Sequence, residues 1–318
     1  MDVYRAAFND CNAFEVAQAL TVGDGYYVFK DIIAEDALAE ILSCIELKEY
    51  LVNNNSVGVV RASSMNFHSH TLAVSKCCYD LVTHEKARAI CSSFFAGPHK
   101  ISNQRIFETH TKAHMPWHTD NNLQDGNTFK GKHELPGILF LFYLSDVSEI
   151  NPFQLIPGSH KWSAQHNQRF FADKYIDQTH STDIVSVKAP KGSLILCNTH
   201  LIHRAKPFDV PGFKRKTFLF QIDAVSENHL GHGEQLLINP SFVDNTDPAI
   251  LKYLGFGSKA NYPTFPQTSV ATMSPQDLWL LQKNILPKTI RGLALSFLKK
   301  VLPSTALISL KNLAAPKQ

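Results

Sequence analysis

Two short stretches of this 318-residue chain hold side chains suited to metal chemistry. In Met115-Pro116-Trp117-His118-Thr119-Asp120 an imidazole and a carboxylate stand two residues apart. Residues i and i+2 of a β-strand point the same way, so His118 and Asp120 can reach one ion. The pair alone is a weak motif, also readable as a solvated strand end, and a third ligand has to come from elsewhere. About eighty residues on, Gly192-Ser193-Leu194-Ile195-Leu196-Cys197-Asn198-Thr199-His200-Leu201-Ile202-His203 runs from a glycine turn through an apolar strand to His203. His200 is the rival ligand; the strand-end position and the spacing to the next motif favour His203. Two imidazoles and one carboxylate on one face of an octahedral ion leave three positions open. That suits non-haem Fe(II) binding a bidentate cosubstrate and O2, whereas a closed zinc site would need a fourth protein ligand.

The run Gly212-Phe213-Lys214-Arg215-Lys216-Thr217-Phe218-Leu219-Phe220 places a basic cluster at the start of an apolar strand. A dicarboxylate that chelates a metal through its 2-oxo acid end needs a planar, bidentate cation for its far carboxylate. Arg215 meets that need, and Thr217 on the same strand face adds a hydroxyl donor. The cluster is equally readable as a solvated charge run. The remaining histidines, including His110, His114, His133, His160, His166 and His180, read as surface or hydrogen-bonded residues.

These residues need a scaffold of short strands. From about Ile101 to Val225 the sequence breaks into runs rich in Ile, Leu, Phe and Val between Pro-Gly, Asp-Gly and Lys-Gly turns. The expected strands are Gly137–Leu144, Pro152–Ile156, Ile184–Val187, Ser193–Cys197 and Thr217–Ile222, a pattern of sandwiches and jelly rolls. The polar insertion from Asn121 to Leu135 reads as a loop over a site. The first hundred residues read as mainly helical after a short strand at Tyr26–Phe29, with an amphipathic helix over Glu35–Ile45 and another over Tyr79–Phe95. Past Ser226 the chain is irregular, then helical. Ser274-Pro275-Gln276-Asp277 looks like a cap opening a helix through Trp279 and Leu281. After Pro287 an amphipathic helix carries Ile290, Leu293, Ala294, Phe297, Leu298 and Val301 on one side, with Arg291, Lys299 and Lys300 on the other. The expected organisation is a domain over 1–225 and an extension over 226–318 packing on it.

The net charge of +3 is too mild to argue for nucleic acid, but it is unevenly placed. From Leu278 to Gln318 there are seven Lys or Arg and no Asp or Glu, which leaves 24 basic against 28 acidic residues before it, a net −4. The tail's apolar stripe either packs on the body or a second subunit, or lies on an anionic membrane surface. The six cysteines form no C-x-x-C pair and read as buried free thiols. With no signal-like start and no long apolar span, the expected location is the cytoplasm.

Taken in order, these pieces resemble the phytanoyl-CoA dioxygenase family of 2-oxoglutarate oxygenases. The resemblance covers roughly Tyr26 to Ala224 and rests on Pro116-Trp117-His118-Thr119-Asp120, Phe142-Tyr143-Leu144-Ser145-Asp146, Ile156-Pro157-Gly158-Ser159-His160-Lys161, Ile202-His203-Arg204-Ala205 and Arg215. It implies a mainly β fold with flanking helices, built on a double-stranded β-helix (a cupin-like jelly roll). It also implies Fe(II) held by His118, Asp120 and His203, and 2-oxoglutarate held by Arg215, with Gln104 and Thr119 near the cosubstrate and His160 in a loop bordering the substrate channel. One departure stands out: Asn151-Pro152-Phe153 replaces a Gly-containing turn, so that turn must differ locally.

The implied reaction oxidises a small organic substrate with O2 and releases succinate and CO2. Hydroxylation is the default, while desaturation, ring closure or epimerisation use the same ligands. Asp120 argues against halogenation, which needs a small residue there. Two competing readings are a catalytically silent jelly-roll binding protein and a cupin-like metalloenzyme that makes no use of 2-oxoglutarate. Fold-level likeness names neither substrate nor oligomeric state.

Overall fold

Gly137–Tyr143 is apolar almost throughout, Gly-Ile-Leu-Phe-Leu-Phe-Tyr, and every residue in it is buried. Such a strand has to be covered on both faces, and the rest of the fold supplies the covers. The structure is a computed structural model that describes residues 2–53, 59–61, 65–68, 71–110, 116–120, 136–162, 170–225, 236, 238–244, 247–257, 286–287, 290–294 and 296–297. The first part comprises α1 (Ala6–Asn9), α2 (Ala13–Thr21), β1 (Tyr26–Phe29), α3 (Glu35–Asn53), β2 (Val59–Arg61), β3 (Met65–His68), α4 (Thr71–Val74), α5 (Lys76–Thr83) and α6 (Glu85–Phe94). Then come β4 (His99–His110), β5 (Trp117–His118), β6 (Gly137–Tyr143), β7 (Phe153–Leu155), β8 (Phe170–Phe171), α7 (Asp173–Thr179), β9 (Val185–Val187), β10 (Leu194–Asn198), β11 (His203–Ala205), β12 (Lys214–Ala224) and α8 (Pro248–Tyr253).

The strands form two antiparallel sheets, ordered β1-β10-β6-β12-β4-β3-β2 and β8-β5-β11-β7-β9. With helices on one flank, this two-sheet arrangement is consistent with a jelly-roll core. Strand alternation sorts the side chains of the large sheet into two layers. Phe140, Phe142, Phe218 and Phe220 pack with Phe8, Val16, Leu20, Ile41, Leu81 and Ile90 of the helices, and the Phe140 and Phe220 rings stack with centroids 4.3 Å apart. The opposite positions, Leu139, Leu141, Tyr143, Ile195 and Cys197, pack with Phe153, Leu155 and Val187 of the small sheet. A third cluster of Trp117, Ile156, Phe171, Ile176 and Ile202 lies behind the small sheet, beside α7.

The expected strands are all present, within a few residues. The helix expected over Tyr79–Phe95 is instead two, because His84 leaves the helical region (φ −53°, ψ 138°) and its side chain caps the second by accepting from Lys86 N. The first helix also begins earlier, at Lys76, behind a Ser75 cap. All six cysteines are free thiols. Ile250, Tyr253 and Leu254 of the later chain pack on the helical layer. Leu286, Ile290, Leu293 and Phe297 are exposed instead. The Asn121–Leu135 loop, the helix expected at Ser274–Leu281, and Leu298 and Val301 lie outside the described residues. Among the described residues no helix is long and apolar enough to cross a membrane.

The Pro157-Gly158-Ser159-His160-Lys161 element ties this frame together. His160 Nε2 donates to Thr21 O at 2.9 Å, and Lys161 Nζ donates to Val22 O and Gly23 O at 3.1 and 2.9 Å, so the element closes the C-terminus of α2. Of the two expectations for His160, the structural hydrogen bond is the one observed. Gly25 passes beneath this ring with φ +85°, where a Cβ would overlap His160 and Leu201. Gly25→Ala is therefore expected to destabilise the fold by about 1–3 kcal/mol or more, read as a lowered thermal midpoint; an unchanged midpoint would remove this contact from the account.

Candidate metal centre

His118 and His203 are register partners on the adjacent strands β5 and β11, so their side chains leave the sheet on one face, with ring centroids 4.3 Å apart. Each ring is anchored through Nδ1: His118 to Pro116 O at 2.8 Å and His203 to Leu201 O at 2.9 Å. A carbonyl can only accept, so Nδ1 carries the proton and Nε2 is the ligand atom. Asp120 lies between them, with Oδ1 3.6 Å from His118 Nε2 and Oδ2 3.3 Å from His203 Nε2. Its backbone N donates to Thr199 O at 2.9 Å, which fixes where the carboxylate leaves the chain.

One ligand atom from each of the three residues falls within 4.8 Å of the others. Burial pulls the His203 imidazolium down, yet the Asp120 charge, its hydrogen bond and the Leu201 carbonyl together hold it above the usual histidine value. An entering cation would displace that proton and take over the neutralisation of Asp120. Cys197 beneath the site stays a neutral thiol, pushed well up by burial and by the Asp120 carboxylate, so it offers no competing thiolate. The donor set of two neutral imidazoles and one carboxylate fits Fe(II): a His-His-Asp triad poised to bind it from one side. His203, and not His200, joins this cluster.

The residues next to the ligands point the other way and are held there. Arg204 is buried with its guanidinium 4.3 Å over the Trp117 ring. Two carboxylates one turn apart on α7 grip both: Arg204 meets Asp173 at 3.3 Å and Asp177 at 3.1 Å, while Trp117 donates through Nε1 to Asp177 at 3.2 Å and through its backbone N to Asp173 at 3.4 Å. Gln154 adds an acceptor for Arg204 Nε at 2.9 Å. Each ligand histidine thus has a neighbour locked to α7. The i, i+4 spacing of Asp173 and Asp177 was visible in the sequence, but nothing there linked it to Trp117 or Arg204.

Across the interior, Arg215 and Thr217 occupy the β12 face that carries Tyr143 on β6, since Thr217 and Tyr143 are register partners. Tyr143 OH donates to Val187 O and accepts from Phe153 N, both at 2.9 Å, and the Phe153 ring stacks on His203 with centroids 5.0 Å apart. A chain of contacts therefore runs from the triad to Arg215. Arg215 is buried and donates to Asn151 O; burial lowers its pKa while Tyr143 acts in the opposite sense. Arg215 Nε and Thr217 Oγ1 are buried and find no hydrogen-bond partner among the described residues. Lys214 and Lys216 face the other side and pair with buried Glu108 at 3.4 and 3.9 Å, so the basic cluster divides into a solvent-side pair and an inward arginine. The Asn151-Pro152 turn works because Asn151 takes φ +55°, a conformation asparagine tolerates, and presents its carbonyl to Arg215.

One expected site residue is corrected. Gln104 faces the helices: its Oε1 accepts from Thr71 N at 3.1 Å and from Thr71 Oγ1, and its register partner is Phe220 of the helical layer. The alternation that brings Arg215 inward sends Gln104 outward, and Asn103 and Arg105, opposite Gln221 and Leu219, hold the inward positions. Thr119 is fully buried between the two ligands. Phe170, which the sequence did not single out, is the register partner of His118; its ring lies 6.2 Å from that imidazole and is exposed.

The model of the phytanoyl-CoA dioxygenase (PhyH) family matches residues 22–215. No curated protein matches the chain. Among solved structures, the non-heme alpha ketoglutarate dependent carbocyclase SnoK from nogalamycin biosynthesis is similar in fold, with a TM-score of 0.51 and 15% identity over 68% of this chain and 85% of that one. The epimerase SnoN, solved with Fe3+, alpha ketoglutarate and nogalamycin RO, has a TM-score of 0.48 and 17% identity over 71% and 94%. HygX from Streptomyces hygroscopicus, solved with nickel and 2-oxoglutarate, has a TM-score of 0.48 and 16% identity over 63% and 82%.

If α7 holds the ligand strands in place, Asp177→Asn should weaken Co(II) binding by about tenfold or more, measured by titrating the absorption of the bound ion. Asp183→Asn, at an exposed carboxylate that meets His180 and accepts from Thr182 Oγ1, serves as the control and should leave the affinity alone. Equal affinities for both variants and the unaltered protein would show that the clamp has no bearing on the metal.

Proposed function

Because the chain belongs to the phytanoyl-CoA dioxygenase family of Fe(II)/2-oxoglutarate-dependent oxygenases, we propose that it hydroxylates a C–H bond of a small organic substrate. In that reaction O2 and 2-oxoglutarate are consumed, one oxygen atom enters the product alcohol, the other enters succinate, and CO2 leaves. His118, Asp120 and His203 would hold the iron, which when bound supplies the oxidising chemistry.

The observation that carries this reading is the pair of buried donors left unsatisfied across from the triad, Arg215 Nε and Thr217 Oγ1. A buried donor without an acceptor costs about 1–3 kcal/mol, so a fold that keeps two of them together is built for an acceptor that arrives from outside. The distal carboxylate of 2-oxoglutarate has the right charge and shape: its two oxygens accept from the guanidinium fork and the hydroxyl. Asn151 holds the guanidinium by one nitrogen and leaves the rest of the fork to the ligand. The Tyr143 hydroxyl is engaged at both its hydrogen and its oxygen, so it stiffens the wall beside Arg215 while the cosubstrate comes and goes.

The chain's other task is to keep water out and the substrate carbon in. Phe153 covers one face of His203, and Phe170 offers an exposed apolar ring beside His118. Asp120 fills with a carboxylate the ligand position that halide transfer would need open, which favours oxygen insertion.

Purified protein with Fe(II), ascorbate and 2-oxoglutarate is expected to release succinate slowly even without substrate. His118→Ala, Asp120→Ala and His203→Ala should each abolish the release. Arg215→Ala removes a charge-assisted pair worth about 1.5–3 kcal/mol, which corresponds to roughly a ten- to hundredfold rise in the 2-oxoglutarate requirement. Succinate release that survives the triad substitutions would refute the proposal, and a cosubstrate requirement indifferent to Arg215 would refute the carboxylate anchor.

A further inference from the structure

Four large apolar side chains among the described residues between 286 and 297 stand in solvent. Leu286, Ile290, Leu293 and Phe297 are 59, 58, 66 and 66% exposed, and the described residues among 286–297 are helical. Ile290 and Leu293 stand one turn apart within the described helical residues 290–294, and Leu286 and Phe297 precede and follow them at the four-residue sequence spacing of a helical face. Arg291 lies off that face and is also exposed. Packing of this face on the body was one of the two readings open from the sequence; the exposure of all four side chains weighs against it.

The charge says what kind of partner fits. From Leu278 to Gln318 every ionisable side chain is a Lys or Arg, seven in all, while the preceding chain carries a net −4. A second copy meeting stripe to stripe would bring two wholly basic tails together. Four side chains also fall well short of the ~800 Å2 that each partner buries in a standard protein interface. An anionic bilayer satisfies both features at once, since its acyl boundary takes the apolar stripe and its headgroups take the Lys and Arg. The same field repels the acidic body, so the surface would be met by the tail alone.

We propose that the C-terminal segment docks the protein on an anionic lipid bilayer, with Leu286, Ile290, Leu293 and Phe297 entering the interface. The docking does not depend on the oxidation chemistry and does not require the chain to span the membrane.

The test is flotation of the full chain with vesicles of phosphatidylcholine alone and of phosphatidylcholine with added phosphatidylserine. Binding to the anionic vesicles should exceed binding to the neutral ones by about tenfold and should fall as salt is raised, because exposed charges are screened over about 8 Å at physiological ionic strength. The double substitution Leu293→Asp and Phe297→Asp should abolish binding while leaving the thermal midpoint and the release of succinate unchanged, since both side chains are exposed and distant in sequence from the site. The proposal is overturned if the unaltered protein stays behind with anionic vesicles, if it binds both compositions equally, or if the double variant floats as well. A dimer in sedimentation velocity that the double variant dissolves, without vesicle binding, would assign the stripe to a second copy and overturn it too.

Discussion

A carboxylate held between two buried imidazoles is the arrangement on which the rest of this structure depends. Asp120 lies 3.6 Å from one ligand nitrogen and 3.3 Å from the other, in surroundings where an unneutralised charge is costly. Burial pulls the His203 pKa down, and the Asp120 carboxylate outweighs burial and raises it above the usual histidine value. A divalent cation held by the same three groups would balance the carboxylate in place of a proton.

Alternation along the strands makes that arrangement possible and also guards it. The period of two that turns His118 and His203 inward turns Trp117 and Arg204 outward, onto the paired carboxylates of α7. The ligands are thus fixed from behind by a stacked cation and ring. Across the interior the same period separates Arg215 and Thr217 from Lys214 and Lys216, so one basic run serves both the cavity and the solvent. The His-His-Asp triad and the inward Arg215 are carried by facing sheets, and the Tyr143 and Phe153 contacts between those sheets set the distance from one to the other.

Much of this was legible in the sequence where the constraint is local. The spacing of His118 and Asp120 and the glycine-started strand leading to His203 follow from strand geometry, whereas the basic run at Arg215 read equally well as solvated until its pairing with β6 turned Arg215 inward. The choice between His200 and His203 needed the pairing of β5 with β11, which spans more than eighty residues. Gln104 failed by a single step of alternation, because the register of β4 against β12 cannot be read from either strand alone. The helix expected over Tyr79–Phe95 failed at His84, where a side-chain cap outweighs an apolar pattern that runs on through the break. The clamp of Asp173 and Asp177 on Arg204 and Trp117 joins three separate segments and leaves no local trace. The amphipathic tail was legible as a pattern, whereas its exposure is a property of the folded chain.

The central claim is that His118, Asp120 and His203 bind one iron together and leave the remaining coordination positions to smaller ligands. X-ray absorption at the iron edge on the Fe(II)-loaded protein reads the number of imidazoles bound to the metal. The account predicts scattering from two imidazole rings, dropping to one in the His203→Ala protein while the oxygen ligands persist. A spectrum without imidazole scattering, or one that the substitution leaves unchanged, would contradict it.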